Sequence, residues 1–313
     1  MSDRFATLAW ALACDQLLPE LPNRLHPVVW MGRWLALGER LAPRGPHSRL
    51  AWGAAWFAAG LGLSAGLARL AERSGRHWIV RGALAQTLLA YRALDRAAAE
   101  VEAALDRGDL AEARRLLGWH LVSRPTADLA AGDVAAAAIE SLAENLADSV
   151  VAPLLWCAVG GLPALAAYRC ANTADAMWGY LTPRHAELGR AAARTDDLLN
   201  LIPARLTATL LALAAGPNHP NSWRVARRDH GLTASPNAGW PMAAMAGALD
   251  TTLSKIGHYR LGDGPRQPDA GMLRAARRIV RRAVLGVGAT LILVAGAEFR
   301  FNAKARRGKE RKG

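Results

Sequence analysis

Lysine is nearly missing from this chain of 313 residues. Of its 39 basic residues only four are Lys: Lys255, and Lys304, Lys309 and Lys312 near the end. The remainder is arginine scattered through helical stretches, with no aromatic-interleaved basic patch and no zinc or single-strand-binding signature. The net charge of +13 therefore does not read as a nucleic-acid surface. An anionic membrane surface or phosphorylated substrates suit it better. Cysteine is equally scarce: Cys14, Cys157 and Cys170 lie in or beside apolar runs without metal spacing, which excludes a disulfide framework and predicts buried free thiols. Strand alternation is nearly absent. No P-loop, no GxGxxG, no His-Glu-x-x-His and no nucleophile elbow occurs, so the familiar nucleotide, zinc and hydrolase fingerprints are excluded. Aromatics make up only 6% of the chain, yet eleven of them are Trp against four Tyr and four Phe. Trp suits both a helical core and a membrane interface, where an apolar body meets a wet edge. The start, Met1 to Cys14, imitates a short signal peptide, but its apolar stretch is short and its flanks are poor.

What is present is helical and apolar. Leu50 to Ala68 gives 19 uncharged residues between Arg49 and Arg69, close to the ~20 that span a bilayer. Ser149 to Tyr168 is similar, but Gly160-Gly161 and Pro163 interrupt it, which predicts a broken or re-entrant helix. Leu206–Ala215 and Ala283–Ala297 are shorter and flanked by charge. The predicted fold is therefore all-α: a multi-helix integral membrane protein forming one domain over 1–299. Within it, 69–138 reads as an amphipathic extramembrane helical hairpin broken at Gly108, and 217–282 as a polar helical and loop region. The basic tail, 300–313, reads as disordered and cytoplasmic. Arginine occurs in every connection, so the charge rule does not fix topology.

Polar residues beside hydrocarbon-length segments mark a site more often than a wall. Glu140, Glu144 and Asp148 are spaced i, i+4 and i+8, one face of a helix. Three adjacent carboxylates suit a hard cation such as Mg²⁺ bridging to phosphate oxygens, or else a solvated helix face. Asn172 and Asp175 form a second group, and Asp196, Asp197 and Asn200 a third, all bordering apolar segments. Arg169, Arg205 and Lys255 are candidates for phosphate or carboxylate recognition, although snorkelling is the commoner role of a membrane-border Arg. Ser235-Pro236-Asn237-Ala238-Gly239-Trp240-Pro241 predicts a tight loop and a helix start whose amides could receive an anion, or a plain turn. His26-Pro27-Val28 follows a Pro-rich segment.

In order and spacing these blocks resemble the CobD/CbiB cobalamin biosynthesis family, adenosylcobinamide-phosphate synthase. The likeness rests on His26-Pro27-Val28, Glu140-Ser141-Leu142-Ala143-Glu144-Asn145 with Asp148, and Asn172-Thr173-Ala174-Asp175-Ala176-Met177. It continues through Asp196-Asp197 to Asn200 and Arg205, and then Ser235 to Pro241. The Gly-Asp-Pro turn common before the family's His-Pro is absent; Asp15-Gln16-Leu17-Leu18-Pro19 stands there. The resemblance implies a multi-pass enzyme of the bacterial inner membrane. It would join adenosylcobyric acid, its corrinoid substrate, to (R)-1-amino-2-propanol O-phosphate through an amide, with ATP and Mg²⁺ expected. On that reading Glu140, Glu144, Asp148, Asp196 and Asp197 are catalytic, with Glu144, Asp148 and Asp197 as metal ligands. His26, Asn145, Arg169, Asn172, Asp175, Asn200, Arg205, Ser235, Asn237 and Lys255 would bind substrate. The partners implied are membrane lipid and other late corrin-pathway enzymes, and no nucleic acid. A Mg²⁺-dependent prenyl or CDP-alcohol transferase, or a non-enzymatic scaffold of corrin enzymes, are the competing readings.

Overall fold

A computed structural model describes residues 3–310 except 76, 181 and 256, with side chains through residue 300. Among the described residues the elements are helices apart from one small hairpin, and the chain divides into two compact units.

The first unit comprises residues 1–90, 153–198 and 286–313. It holds α1 (Arg4–Leu17), α2 (Pro27–Arg40), α3 (Pro46–Ser74) and α4 (Trp78–Gln86). Pro27 and Pro46 stand at the first turns of α2 and α3, where the missing N–H costs nothing and φ is already helical. Tryptophan joins these two helices. Trp34 and Trp56 stack at 4.4 Å and each indole N–H donates to the other's backbone carbonyl, at 3.3 and 3.0 Å. Trp52 stacks on Trp56 at 5.2 Å. Those three indoles are therefore packing residues, whereas Trp119, 77% exposed, is not.

The predicted interruption of the apolar stretch is real. α8 (Ala152–Trp178) breaks at Gly161, which takes φ 70°, and Pro163 follows immediately. Only glycine adopts that φ without strain, and a Cβ there would lie 2.5 Å from Glu72 Oε1. The side chains at the break replace the missing helical partners. Glu72 Oε1 accepts from the Leu162 amide at 3.4 Å, and Arg4 Nη1 donates to the carbonyls of Ala158 and Val159 at 2.8 and 3.3 Å. After α8 comes α9 (Arg190–Leu199).

The second unit comprises residues 91–152 and 199–285. α5 (Tyr91–Asp106) and α6 (Leu110–His120) form a hairpin that turns at Gly108, φ 73°. Asp109 caps α6 by accepting from the Glu112 amide at 3.0 Å, a cap of about 1 kcal/mol. The expected single hairpin over 69–138 is thus narrower: α3 runs on to Ser74, and α7 (Ala131–Leu146) is already the next helix. α7 passes into a π-helical segment, Ala147–Val151, the kind of local widening of the helix that recurs at functional sites. α10 (Leu201–Ala214), α11 (His219–Asp229) and α12 (Gly239–Leu249) complete the core, and every residue of α12 except Trp240 is buried. The region expected to be polar, 217–282, therefore contains a wholly apolar helix. It also contains the antiparallel pair β1 (Leu253–Lys255) and β2 (Tyr259–Leu261), in which Lys255 faces Tyr259. Three-residue strands are too short for alternation to reveal.

The hairpin is held by a charged anchor. Asp229 is buried, accepts from the Gly262 amide at 2.7 Å, and pairs with Arg228 through both oxygens at 2.6 and 2.8 Å. Those bonds hold its carboxyl below the usual range. A depressed carboxylate contributes stability above its unfolded pKa of about 3.9 and loses it as pH falls through the lower folded value. Wild-type protein should therefore lose melting temperature more steeply below pH 4 than Asp229→Asn, followed by Trp fluorescence in detergent. Parallel curves would detach Asp229 from acid stability.

α13 (Ala270–Glu310) lies in the second unit to Leu285 and in the first from Gly286. Helical geometry continues to Glu310, where a disordered tail from 300 was expected; residues 311–313 lie outside the described residues. At its start Arg277 pairs with Asp95 at 2.9 Å and Glu102 at 2.7 Å, and Arg274 pairs with Glu102 and Asp106. Glu102 is only 7% exposed. Arg277→Ala takes one of the two cations from the buried Glu102, leaving Arg274, and removes the partner of Asp95; it is expected to cost about 1–2 kcal/mol, measured as a fall in melting temperature. An unchanged midpoint would show the network to be ornamental.

Among the described residues three helices are long and apolar enough to cross a membrane: Pro46–Ser74, Ala131–Trp178 and Ala270–Arg300. A fourth crossing arises if α9 and α10 form one broken span. These match all four apolar stretches read from the sequence. Leu67 and Leu70 on α3 and Ile292 and Leu293 on α13 are more than half exposed, as lipid-facing residues are.

Candidate active site

Two polar clusters emerge, one in each unit. In the second unit α7, α12 and the β1–β2 hairpin pack together around Glu140. Glu140 is 5% exposed; its Oε2 accepts from the Tyr259 hydroxyl at 3.2 Å, while its Oε1 is buried with no hydrogen-bond partner among the described residues. The positive charges of Arg124 and Lys255 act on this carboxylate. Burial, with Glu140 and Glu144 nearby, pushes the Tyr259 hydroxyl well above its usual pKa, so it stays protonated and donates. A buried carboxylate normally has all its oxygens satisfied. One oxygen left open among two cations and a phenol is what a substrate donor would complete.

One helical turn on, Asn145 Nδ2 donates to the Ser141 carbonyl at 2.9 Å and to its Oγ at 3.1 Å, and Ser141 Oγ donates to the Leu121 carbonyl at 2.6 Å. Glu144 and Asp148 are both half-buried, the first on α7 and the second on its π-helical continuation. Arg205 on α10 lies 5.0 Å over the Trp240 ring and reaches Asn237 Oδ1 at 3.5 Å. Trp240 in turn stacks on His230 at 4.0 Å. Gly239 permits this corner, since a Cβ there would meet the His230 carbonyl oxygen at 2.0 Å. In the Ser235 loop, Ser235 Oγ itself accepts from the amides of Asn237 and Ala238, both at 3.2 Å, as in the plain-turn alternative. Asn200 is buried at the start of α10.

In the first unit α8 and α9 bring two of the sequence groups together. Asn172 Nδ2 donates to Asp196 Oδ1 at 3.4 Å, and Arg169 Nη1 donates to Asn172 Oδ1 at 3.3 Å. Asp175 and Asp197 are close enough for their charges to interact, with Arg194 acting on Asp197. His26, at the head of α2, feels both Glu20 and Arg169; burial is the largest influence and lowers its pKa, so the ring is neutral at pH 7. Its Nδ1 is buried with no hydrogen-bond partner among the described residues.

Among the described residues no three His, Cys, Asp or Glu side chains converge to hold a metal ion unaided. Of the three expected ligands, Glu144 and Asp148 belong to the second unit and Asp197 to the first. Tyr259, Arg124 and the Arg205–Trp240–His230 stack were not read from the sequence. The only available hint was the rarity of Tyr, four in the chain, beside the single internal Lys.

Geometry and composition define a class first: an all-α membrane protein whose buried carboxylates are matched by arginine, lysine and amide groups. The family description "CobD/Cbib protein" matches residues 8–286. A "Cobalamin biosynthesis protein CobD" of Dehalococcoides mccartyi is 40% identical over 268 residues, covering 82% of this chain and 86% of that protein. One of Brucella melitensis is 38% identical over 315 residues, covering 95% and 96%. A "Cobalamin biosynthesis protein CbiB" of Salmonella typhimurium is 36% identical over 266 residues, covering 80% and 83%. No solved structure matches. The chain belongs to the CobD/CbiB family and serves cobalamin biosynthesis.

Proposed function

We propose that the chain is an adenosylcobinamide-phosphate synthase of the bacterial inner membrane. It would join the free propionate of adenosylcobyric acid to the amine of (R)-1-amino-2-propanol O-phosphate. A carboxylate does not acylate an amine unaided in water. ATP as co-substrate would phosphorylate the propionate, releasing ADP; attack by the amine would then form the amide and expel inorganic phosphate, and the amine's proton must go to a base.

The observation that carries this reading is the half-satisfied Glu140. A carboxylate held by Tyr259 through one oxygen and open at the other is positioned to take that proton. Arg124 and Lys255 supply positive charge for the amino-alcohol phosphate. Arg205 and Asn237, fixed on the Trp240 ring, would grip phosphate or the carboxamide edges of the corrin ring. Within the first unit His26, Arg169, Asn172, Asp175 and Asp196 would orient polar substrate groups; within the second Asn145, Asn200 and Ser235 would hold backbone and amides in place. The metal question turns on the donor set. A Mg²⁺ that keeps its waters and takes phosphate oxygens needs only one or two protein carboxylates. Glu144 and Asp148, or Asp197, fit that requirement although no three such side chains converge among the described residues. When bound, such an ion would offset charge on the phosphates.

Detergent-purified protein incubated with adenosylcobyric acid, Mg-ATP and aminopropanol phosphate tests the reading by mass spectrometry of the corrinoid. The expected product is heavier by aminopropanol phosphate minus water and forms only with ATP. An unchanged corrinoid from folded protein would overturn it.

A further inference from the structure

We infer that the first unit carries a binding site for one anionic phospholipid, seated at the break in α8. The observations are independent of the amide-forming site. A polar cavity of about 280 Å³ opens at Gly160-Gly161 and is lined by Arg4, Arg69 and Arg81 together with Asp3 and Glu72. Glu72 is committed to the break: it takes the Leu162 amide and pairs with Arg69 at 3.1 Å. The arginines are less committed. Among the described residues Arg4 reaches two carbonyls through Nη1, Arg69 reaches Glu72 through Nη1, and Arg81 reaches the Gly75 carbonyl through Nε at 3.1 Å. Each guanidinium has five N–H donors, so most of the fifteen or so remain for an anion. Three positive charges face two negative ones, leaving the cavity net cationic.

Directly beside it lies a second, apolar cavity of about 350 Å³, lined among others by Trp34, Leu63, Leu67, Leu84 and Leu88. Leu162, the first residue past the break, lines both. α3 fixes their depths. Its uncharged run ends at Ala68, so Arg69 and Glu72 stand at the edge of the hydrocarbon, where a headgroup lies. The apolar cavity follows α3 from Ala71 back to Gly60, roughly 16 Å at 1.5 Å per residue, into the hydrocarbon. A cationic pocket at headgroup depth that shares the Leu162 wall with an apolar slot is complementary to an amphiphile with an anionic head and an acyl tail. A free phosphate would leave the apolar slot unused, and a neutral lipid would leave the arginines unanswered. The lipid would also brace the break, whose backbone ends the same arginine and glutamate already cap.

The full-length protein in detergent micelles, supplemented with dioleoylphosphatidylglycerol or dioleoylphosphatidylcholine, provides the test, with retained lipid counted by native mass spectrometry. Phosphatidylglycerol should be retained preferentially at one molecule per chain. The double variant Arg69→Gln/Arg81→Gln should weaken that preference about tenfold or more, since each basic residue near a lipid headgroup is worth about 1 kcal/mol. Arg107→Gln, in the α5–α6 turn, should not. Equal retention of the two lipids by wild-type protein overturns the proposal and needs no variant to fold. Full displacement of the lipid by inorganic phosphate overturns it as well, in favour of a plain phosphate pocket.

Discussion

Glu140→Gln is expected to lower corrinoid turnover at least about 100-fold while the protein still folds and enters the membrane, because a positioned general base contributes typically 10²–10⁴. The substitution is close to isosteric, and a Gln carbonyl can still accept from the Tyr259 hydroxyl that now donates to Oε2 at 3.2 Å. Packing within the second unit is therefore retained. What disappears is the capacity to take a proton at the oxygen with no partner among the described residues. Tyr259→Phe separates holding from proton transfer. It removes the bond that orients the carboxylate and leaves the base, so a loss nearer tenfold is expected. Glu140→Ala is a poorer probe, since it opens a cavity where the side chain is 5% exposed. Product formation by mass spectrometry, with Trp fluorescence as the folding control, reads all three. Wild-type turnover in folded Glu140→Gln would remove Glu140 from the chemistry and leave its open oxygen as a structural cost.

The parts of this molecule legible in the sequence are those set by local chemistry. Hydrocarbon-length runs, the Gly160-Gly161-Pro163 interruption and the Gly108 turn each follow from residue type within a few positions, and each reappears as a span, a break at φ 70° and a turn at φ 73°. The Asn172, Asp175, Asp196 and Asp197 blocks were legible as a grouping because two helices separated by one connection can meet. Other features depend on distant packing. Tyr259 reaches Glu140 across 119 positions, and nothing near either residue signals it. The π-helical segment at Ala147–Val151 adds one residue per turn with no compositional mark, and it alters the simple i, i+4, i+8 face on which Asp148 was placed. The stack of Arg205 on Trp240 on His230 needs Gly239 at the corner, a close approach visible only in three dimensions. The helical continuation to Glu310 was missed for another reason. Lys, Arg and Glu favour helix as readily as they favour a solvated tail, so composition alone did not choose.

Asp197→Asn is expected to make the metal-free protein slightly more stable and the enzyme much less active. Burial desolvates both carboxylates, the charge of Asp197 adds to the cost at Asp175, and Arg194 offsets part of the cost at Asp197. Neutralising one member relieves that repulsion, a gain of up to about 1 kcal/mol of the kind found when a functional site's strain is removed. Asp196, which accepts from Asn172 at 3.4 Å, is untouched by the change, so the α8–α9 contact persists. If the pair exists to meet a cation or a substrate ammonium, turnover should fall about 100-fold or more. The rise in melting temperature that Mg-ATP confers on wild-type protein should also shrink. Stability and activity then move in opposite directions, which a structural ion pair cannot produce, because its loss lowers stability. A variant that melts lower than wild type yet keeps its turnover would show that Asp197 stabilises the first unit rather than serving the reaction. Asp175→Asn should reproduce the opposed pair of effects, since repulsion is relieved from either side.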